Sequence, residues 1–590
     1  MNRSKITKSL AVFASALLII IIGVASFAYF GTFSVNLNNN VAVNINSSSP
    51  GNATFTSNAT QLNLVVPAAN MSFTQANNTV ATKEDTAYLD VTLTGSPNLL
   101  TTCTYDIVYE YDAGSNVYGQ GTTTKTSGAD KEITIEVNGM NGNNHFAEET
   151  NFDYTNIQSY YDSANKYYKL VENATIKSLG TEQSVRWKII GRYYNLEASQ
   201  SQLGGKAFTG KIYAVSKGCD SKDGSTVQSG YQTILTNNGG VTAIETKETP
   251  DFTASAITNE GMYKATDDLG TSYYFRGAVD NNWVKYGKYT QDTYAYWYET
   301  EEYSVLTMAL TDDCTGKDEC YKVASKGDDI YWRIIRVNGD GSIRMIYAGP
   351  YPPDNNTKVT MTNSVSVFSK TSIGYSVFNE NYDSSEYIGY MYTVGQQHGT
   401  ETSSMIKNYL EDWYANYTNL NAVGTKIADQ IYCNDRTAST NSSGSTGEIS
   451  SWASTGTDYY YGAGNRIWGD NSKSNPVLTC SNANDKFSAT TAKGNGKLSY
   501  PIGLITADEV NMAGARSSNQ SYYLYTGDWY WAGSPYEFIS SNAVELRVND
   551  NGYLDVYILN NYGGVRGVVS LLPDVKLLGS GTYDDVYTVS

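Results

Sequence analysis

The sequence predicts a chain made mostly of β-strands: an apolar N-terminal helix, then an all-β sandwich, then a domain that mixes helices with strands. Tyrosine accounts for 51 of the 590 residues and charged residues for only 17%, a composition typical of strand-forming aromatics joined by polar turns. Apolar and polar residues alternate at period two along much of the chain, and a clear helical spacing appears beyond residue 400. A chain of 590 residues is too long to fold around a single hydrophobic core, so we expect several domains.

Residues 1–30 predict a membrane or signal helix. Arg3, Lys5 and Lys8 precede an apolar run, and about 20 apolar residues in a helix cross the hydrocarbon core of a bilayer. The basic flank would remain in the cytoplasm, so the rest of the chain would lie outside the cell. Two outcomes stay open: residues 10–30 remain in the membrane as an anchor, or a signal peptide is cleaved near Ala28. Both predict a cell-surface location, anchored or secreted.

The six cysteines predict disulfide bonds. All of them come after the apolar run, and their number is even. The sequence contains no Cys-x-x-Cys pair, the spacing typical of metal sites. Fifteen pairings are possible for six cysteines. Proximity in the sequence favours three bonds: Cys314–Cys320, Cys433–Cys480 and Cys103–Cys219.

Residues 31–218 are predicted to form an antiparallel β-sandwich. Strand-like alternation recurs in four places, at residues 89–93, 103–111, 132–137 and 185–189. Residues 187–196 and 200–212 resemble the final strands of the β-sandwich in camelysin-like surface proteins. That resemblance implies a matrix or spacer domain rather than a catalytic one.

Residues 219–251, rich in Gly, Ser and Thr, are predicted to be a linker, and residues 252–590 to form the mixed domain. Two hairpins are expected in this domain, one around the turn at 338–341 and one around the turn at 549–552. Neither turn has the full spacing of oxygen ligands that a calcium loop requires, so turn formation is the preferred interpretation.

Two helices are predicted in the mixed domain. Apolar residues at helical spacing indicate a helix over 404–413. A second helix begins at Thr506, which forms a capping box with Glu509, and ends at Gly514. Adjacent carboxylates on a helix point about 100° apart, so Asp508 and Glu509 cannot act together on one bond. We therefore expect Thr506 and Glu509 to be structural.

Composition and motifs argue against several functions. The net charge of −18, with no basic face, disfavours nucleic acid as a partner. The two histidines, His145 and His398, are expected on the surface and are too few for most zinc sites or Ser-His-Asp triads. No P-loop, dinucleotide fingerprint, Gly-x-Ser-x-Gly elbow or His-Glu-x-x-His motif occurs. We expect no catalytic residues, no metal and no cofactor.

Several motifs of the last domain resemble a known fold. In order, they are a helix with a tryptophan, the Trp-x-Trp-x-x-Ser-Pro segment at 529–535, a strand–turn–strand, and Gly-Val-Arg at 564–566 followed by apolar residues. Together they resemble the C-type-lectin-like fold, in the branch shared by formylglycine-generating enzymes and retroelement-diversified receptor-binding proteins. Residues 431–436, 498–509 and 564–566 are in addition similar to segments of exported surface proteins of Bacillota. The resemblance implies that ligands meet an irregular upper face, which residues 529–535 would help to line.

Two departures limit what the resemblance carries over. Gly567 stands where a proline usually follows Gly-Val-Arg, and the C-terminal part lacks the cysteine pair that the enzyme branch uses. The catalytic residues of that branch are therefore not assigned to this chain. Arg566 is expected to be a structural residue of the fold.

The candidate binding residues are four aromatic side chains: Trp529, Tyr530, Trp531 and Tyr536. Such rings stack on sugar faces or fill a pocket of a partner protein. We expect Trp531 to belong to the core and Tyr530 to be exposed.

These observations are compatible with three functions. The first is an exported bacterial cell-surface binding or adhesion protein that recognises a glycan, or a host or neighbouring protein, through the lectin-like domain. The second is a structural extracellular-matrix protein that assembles through the β-sandwich. The third is a sulfatase-modifying-type or glycoside-acting enzyme, which would need carboxylates or a metal converging in one pocket.

Overall fold

The computed structural model divides the chain into two compact units: unit 1, Met1–Val227 with Ser590, and unit 2, Gln228–Val589. It describes residues 34–38, 53–65, 81, 83–95, 99–111, 133–152, 157–194, 207–224, 227–317, 319–351, 371–439, 458–468 and 474–590. The predicted signal or anchor helix, with Ala28, lies outside the described residues. Within the described ranges, no helix combines the length and apolarity needed to cross a bilayer. The predicted predominance of β-structure is confirmed.

The described part of unit 1 consists almost entirely of strands. They are β1 Ser34–Asn38, β2 Thr54–Asn58, β3 Thr60–Val65, β4 Lys83–Thr94, β5 Leu99–Tyr111, β6 Ile133–Asn138, β7 Asn143–Asn144, β8 Thr150–Asn151, β9 Tyr161–Asp162, β10 Tyr167–Leu179, β11 Glu182–Tyr193 and β12 Ala207–Asp223. One sheet has the order β1-β2-β4-β11-β6-β8, and the other has the order β3-β12-β5-β10-β7, with β9 beside β10. All pairs are antiparallel except β1 with β2.

The two sheets of unit 1 share one core, the arrangement of a β-sandwich. Leu89 and Val91 on β4 are fully buried, as their alternation predicts. Trp187 on β11 is also fully buried, and its Nε1 donates a hydrogen bond of 3.1 Å to the hydroxyl of Tyr105 on β5. This bond joins the sheets and satisfies a buried indole N–H.

Unit 2 combines short helices with several sheets. Its helices are α1 Gly230–Asn237, α2 Val241–Glu245, α3 Met405–Asp412, α4 Gly462–Trp468 and α5 Ala507–Ala513. Its strands are β13 Asn259–Asp267, β14 Gly270–Gly277, β15 Trp283–Lys288, β16 Thr293–Glu299, β17 Leu306–Thr311, β18 Cys320–Ala324, β19 Asp329–Val337, β20 Ile343–Gly349, β21 Tyr375–Val377, β22 Met391–Tyr392, β23 Thr402–Ser403, β24 Ile427–Ala428, β25 Tyr432–Cys433, β26 Tyr459–Tyr460, β27 Lys486–Phe487, β28 Tyr530–Ile539, β29 Asn542–Val548, β30 Leu554–Ile558, β31 Tyr562–Gly564, β32 Val568–Leu571, β33 Leu577–Leu578 and β34 Tyr587–Val589.

Three sheets of unit 2 position the candidate site. The largest has the order β24-β32-β20-β19-β15-β34-β33 and also includes β13 and β14. A three-stranded sheet has the order β17-β16-β18. The third has the order β21-β31-β28-β29-β30, with β26 beside β28. Fully buried Trp332, Trp413 and Trp531 belong to the core that these elements share.

Residues 219–251, predicted to be a linker, are instead divided between the two units. β12 continues through Cys219 to Asp223, and α1 begins at Gly230. Ile234 and Ile244, on α1 and α2, are buried in the core of unit 2. The turn-rich composition of this segment gives little sign of the two short helices. Each helix packs against the core of unit 2 through only a few apolar residues.

The local predictions for hairpins and helices are confirmed. β19 pairs with β20, and β29 with β30, around the two predicted turns. Ser404 caps α3. Thr506 and Glu509 form the predicted capping box of α5, and Gly514 ends that helix with a φ of 122°, a conformation that favours glycine.

All three predicted disulfide bonds are confirmed: Cys103–Cys219, Cys314–Cys320 and Cys433–Cys480. The first joins neighbouring strands β5 and β12. The last joins Cys433 on β25 to Cys480 in the segment before β27, and β25 itself pairs with β27.

Both histidines, predicted to lie on the surface, are partly exposed and are paired with carboxylates. The imidazole of His145 contacts Glu172 at 3.1 Å, and that of His398 contacts Asp485 at 2.9 Å. Their side chains are only 11% and 21% exposed. Both rings are therefore held in place by carboxylates.

Trp187→Ala is expected to lower the free energy of unfolding of unit 1 by about 3–5 kcal/mol, because it empties a fully buried site between the sheets. Trp187→Phe, which keeps a ring but loses the bond to Tyr105 and part of the buried volume, is expected to cost less. Urea unfolding followed by hydrogen exchange of peptides from β4 and β11 measures both. A loss below about 1 kcal/mol for the alanine variant would contradict this account of the core.

Candidate functional site

A crevice beside the N-terminus of α5 holds a network of buried charges. Arg336 on β19 contacts Asp267 at 2.6 Å and Glu509 at 2.9 Å. Arg344 on β20 contacts the same Glu509 carboxylate at 2.6 Å. Ion pairs thus join α5 to both β19 and β20. A further ion pair joins β19 to β13.

A second set of arginine pairings extends the network through Asp508, the neighbour of Glu509 on α5. Arg466 on α4 contacts Asp435 and Asp508, each at 2.8 Å. The cavity in this open crevice has a volume of about 30 Å³, enough for a water molecule or two. Asp267, Asp435, Asp508 and Glu509 are thus all paired with arginine, and we interpret the crevice as structural.

Glu509 is the centre of this network. Burial opposes its ionisation, and the guanidinium groups of Arg344 and Arg336, with the Thr506 N–H, more than offset that cost, so its pKa falls to about 2. Glu509 therefore both caps α5 and pairs with two buried guanidinium groups, whose charges it balances together with Asp267.

Two of the four predicted binding residues are buried. Tyr530 is 1% exposed, and its hydroxyl donates to the carbonyl of Leu524 at 3.0 Å. The prediction that Tyr530 is exposed is wrong, because the guanidinium of Arg566 covers its ring at 4.7 Å. Trp531 is fully buried, in agreement with its expected place in the core, and its Nε1 donates to Ser376. Neither residue can meet a ligand at the surface.

Arg566 has the structural role that the sequence predicts. It is 2% exposed and donates to the carbonyls of Tyr347 and Leu524, at 3.0 and 3.2 Å.

The other two predicted binding residues are half-buried and lie in different surroundings. Tyr536 packs edge-on against Trp468 of α4, with ring centroids 5.6 Å apart. Gly464 makes this possible, since a Cβ there would lie 2.5 Å from the Tyr536 ring. Trp529, immediately before β28, belongs to a larger group of rings.

That group, the aromatic cluster, consists of Trp297, Tyr375, Trp529, Tyr557 and Tyr562. Tyr562 lies 4.8 Å from Trp297 and 6.1 Å from Trp529 between ring centroids, both edge-on. Trp529 and Tyr557 are 6.4 Å apart. Trp297 stacks on the buried Tyr375 at 6.1 Å. The other four rings are half-buried, so the cluster presents aromatic surface to solvent.

One ion pair borders the aromatic cluster. Arg547 and Asp555 lie directly opposite on the β29–β30 hairpin, and their charged groups meet at 2.9 Å. Tyr557 is the diagonal neighbour of Arg547 on the same face. The guanidinium carbon lies 3.9 Å from the Tyr557 ring centroid and 4.9 Å from that of Trp529.

A buried carboxyl lies beneath the cluster. Asp528 is 4% exposed and accepts hydrogen bonds from the Tyr375 hydroxyl and the Trp529 N–H. Burial raises its pKa to about 6, and these two donors only partly oppose that rise.

The sequence indicates Trp529 as a binding residue and gives no sign of the rest of the cluster. Trp297, Tyr557 and Tyr562 come from separate strands, and only the strand pairing brings them together. Alternation on β16 and β30 gives no signal that their aromatic residues face a common surface. No group of three or more potential metal ligands occurs in the described parts of the chain.

Comparisons of this sequence and structure with protein-family models, curated proteins and solved structures found no match. A function for unit 2 must therefore be inferred from its own geometry.

Glu509→Gln is expected to destabilise unit 2 by about 3–5 kcal/mol at neutral pH, because the buried Arg344 loses its counter-charge and Arg336 keeps only Asp267. The lowered pKa of Glu509 means that its contribution is complete above about pH 4.5 and is lost as the pH falls toward 2. Urea unfolding at pH 7 and pH 3 should show a smaller loss at pH 3. Glu299→Gln, at an exposed position, is the control. Equal stability of the Glu509 and Glu299 variants at pH 7 would show that the network contributes nothing.

Asp528→Asn is expected to stabilise unit 2 at pH 7 by up to about 3 kcal/mol, because the asparagine side chain stays neutral when buried. The folded carboxyl binds its proton more tightly than the unfolded one, so wild-type stability should fall as the pH rises from about 4 to about 6. The variant should lose this dependence, whereas Asp584→Asn, at an exposed position, should retain it. Unfolding curves between pH 4 and 8 provide the measurement, and an unchanged slope in the Asp528 variant would refute the assignment.

Proposed function

We propose that this chain is an exported surface protein that recognises a glycan through the aromatic cluster of unit 2. The observation that carries the proposal is the convergence of four half-buried rings, three from separate strands and one from the residue before β28, beside the Arg547–Asp555 ion pair. Flat rings offer apolar surface for the C–H faces of a sugar, and a few charged groups at the edge can bond its hydroxyls.

The rigidity of the cluster supports this proposal. Trp529 directly precedes β28, which begins at Tyr530. Its backbone N–H donates a hydrogen bond to the carboxylate of Asp528. Tyr562 opens β31, which pairs with β21. Rings fixed by strands lose little conformational freedom on binding, which favours affinity.

Export is supported by the disulfides and by the predicted N-terminal helix. All six cysteines are paired, and such bonds persist in oxidising environments outside the cytoplasm. We propose in addition that unit 1 is a camelysin-like spacer and that unit 2 has the C-type-lectin-like fold. Two features support the second assignment: the motif at 564–566 and the helix α5. They lie close together, because Val568, just after the motif, forms an antiparallel β-bridge with Gly503, just before the helix.

Trp529→Ala and Tyr562→Ala are each expected to weaken glycan binding at least about 10-fold, because truncating a central aromatic contact typically costs 2 kcal/mol or more. A glycan array probed with the full chain identifies ligands, and titration calorimetry then measures their affinity for each variant. Tyr303→Ala removes a 43% exposed ring outside the cluster and should leave affinity unchanged. The proposal fails if no glycan binds, or if the Trp529 and Tyr303 variants bind equally well.

A further inference from the structure

Three arginines of unit 2 carry charges that are not paired with a carboxylate. Arg333, Arg516 and Arg566 form no ion pair within the described residues, whereas every other arginine there pairs with Asp or Glu. Burying a charge without a counter-charge costs free energy. Unpaired cations are unexpected in a chain whose net charge is −18, so their location bears on function.

One stretch of chain after α5 connects these three arginines. Arg516 belongs to it. The guanidinium carbon of Arg333 lies 5.5 Å from the ring centroid of Tyr523, and Arg566 donates to the carbonyl of Leu524 at 3.2 Å. The three cations thus create a local positive field, and such a field attracts anions.

Arg333 on β19 is held in place and still reaches solvent. Its Nε donates to Oδ1 of Asn282 and its Nη2 to the carbonyl of Val279, both at 2.6 Å, and the Trp283 ring centroid lies 4.3 Å from the guanidinium carbon. Nη1 makes no hydrogen bond within the part of the chain that the structure describes. It is not sealed off, because 8% of Arg333 is exposed and none of its nitrogens is among the buried atoms that lack a partner. An acceptor from solution can therefore reach Nη1.

The surroundings of Arg333 leave its charge poorly compensated. Burial lowers the pKa of its guanidinium to about 9, and the neighbouring cation of Arg566 acts in the same direction. Asp280 favours the Arg333 cation, but it is exposed and forms no ion pair with it in the described structure. A bound anion would supply the missing counter-charge.

We propose that the surface around Arg333, Trp283 and Arg516 binds an organic oxyanion, that is, a carboxylate, sulfate or phosphate group attached to an apolar body. Guanidinium N–H groups donate in the plane of the group and match the oxygens of such anions. The half-buried ring of Trp283 offers apolar surface beside them, and the half-buried Arg516 adds a second positive charge. This site shares no residue with the aromatic cluster and does not depend on glycan recognition.

Three aromatic anions and one neutral analogue test the proposal: benzoate, phenyl sulfate, phenyl phosphate and benzyl alcohol. We expect the full chain to bind at least one of the anions in titration calorimetry and not to bind benzyl alcohol at the same concentration. The anion that binds most tightly identifies the oxyanion. Arg333→Gln should weaken its binding at least about 10-fold, roughly the effect of one charged hydrogen bond. Added salt should also weaken it.

Arg186→Gln is the matched control, because it removes an arginine of unit 1 that pairs with Asp90. It should leave binding unchanged. If Arg333→Gln does not fold, Arg516→Gln decides, since Arg516 makes no hydrogen bond within the described residues that its replacement would break. That variant should bind the anion about 2- to 5-fold more weakly, the effect of one partly exposed charge.

Three results would each overturn the proposal. In the first, none of the three anions binds to the full chain. In the second, benzyl alcohol binds as tightly as they do. In the third, the folded Arg333 and Arg516 variants keep the affinity of the wild-type chain.

Discussion

The carboxylate of Glu509 is the group on which the arrangement of unit 2 depends. It caps α5 through Thr506 and forms ion pairs with Arg336 and Arg344 on the two central strands β19 and β20. A buried charge that loses its partner is strongly destabilising, so α5 can dock only where Glu509 lies between both arginines. The chain that leaves α5 then leads to Trp529. The position of the aromatic cluster is in this way linked to an ion-pair network in the core.

Buried arginines hold the irregular segments of unit 2 in a similar way. Backbone carbonyls outside helices and strands still need donors when they are buried, and one guanidinium provides five N–H groups. Arg276 donates to four carbonyls, those of Asp251, Ala254, Asn511 and Met512. Arg436 donates to Met391 and Gly399, and Arg566 to Tyr347 and Leu524. These bonds explain how a unit with long loops keeps a surface of fixed rings.

Local features of this fold can be predicted from the sequence, whereas most features that depend on distant contacts cannot. The disulfides Cys103–Cys219 and Cys433–Cys480 are exceptions, because six cysteines allow few pairings. The capping box at Thr506, the turn at 338–341 and the disulfide Cys314–Cys320 each depend on residues within a few positions of one another, so their spacing is sufficient. The burial of Tyr530 escapes prediction because its cover is Arg566, 36 residues away. Most of the aromatic cluster escapes prediction for the same reason, since its rings are distributed between Trp297 and Tyr562.

The docking of α1 into unit 2 bears on how such a protein could evolve by exchange of modules. Gly230 lies against Ile343, Val575 and Leu577, close enough that a Cβ there would be within 3.2 Å of all three. A recombination junction at the turn-rich Thr249-Pro250-Asp251 would leave this apolar surface without its cover. A junction near residue 228 would transfer the helix together with the sheet that it protects. The segment that could be exchanged as one folding unit is therefore longer than residues 252–590, which the composition indicates. It begins near residue 228, shortly after β12 ends.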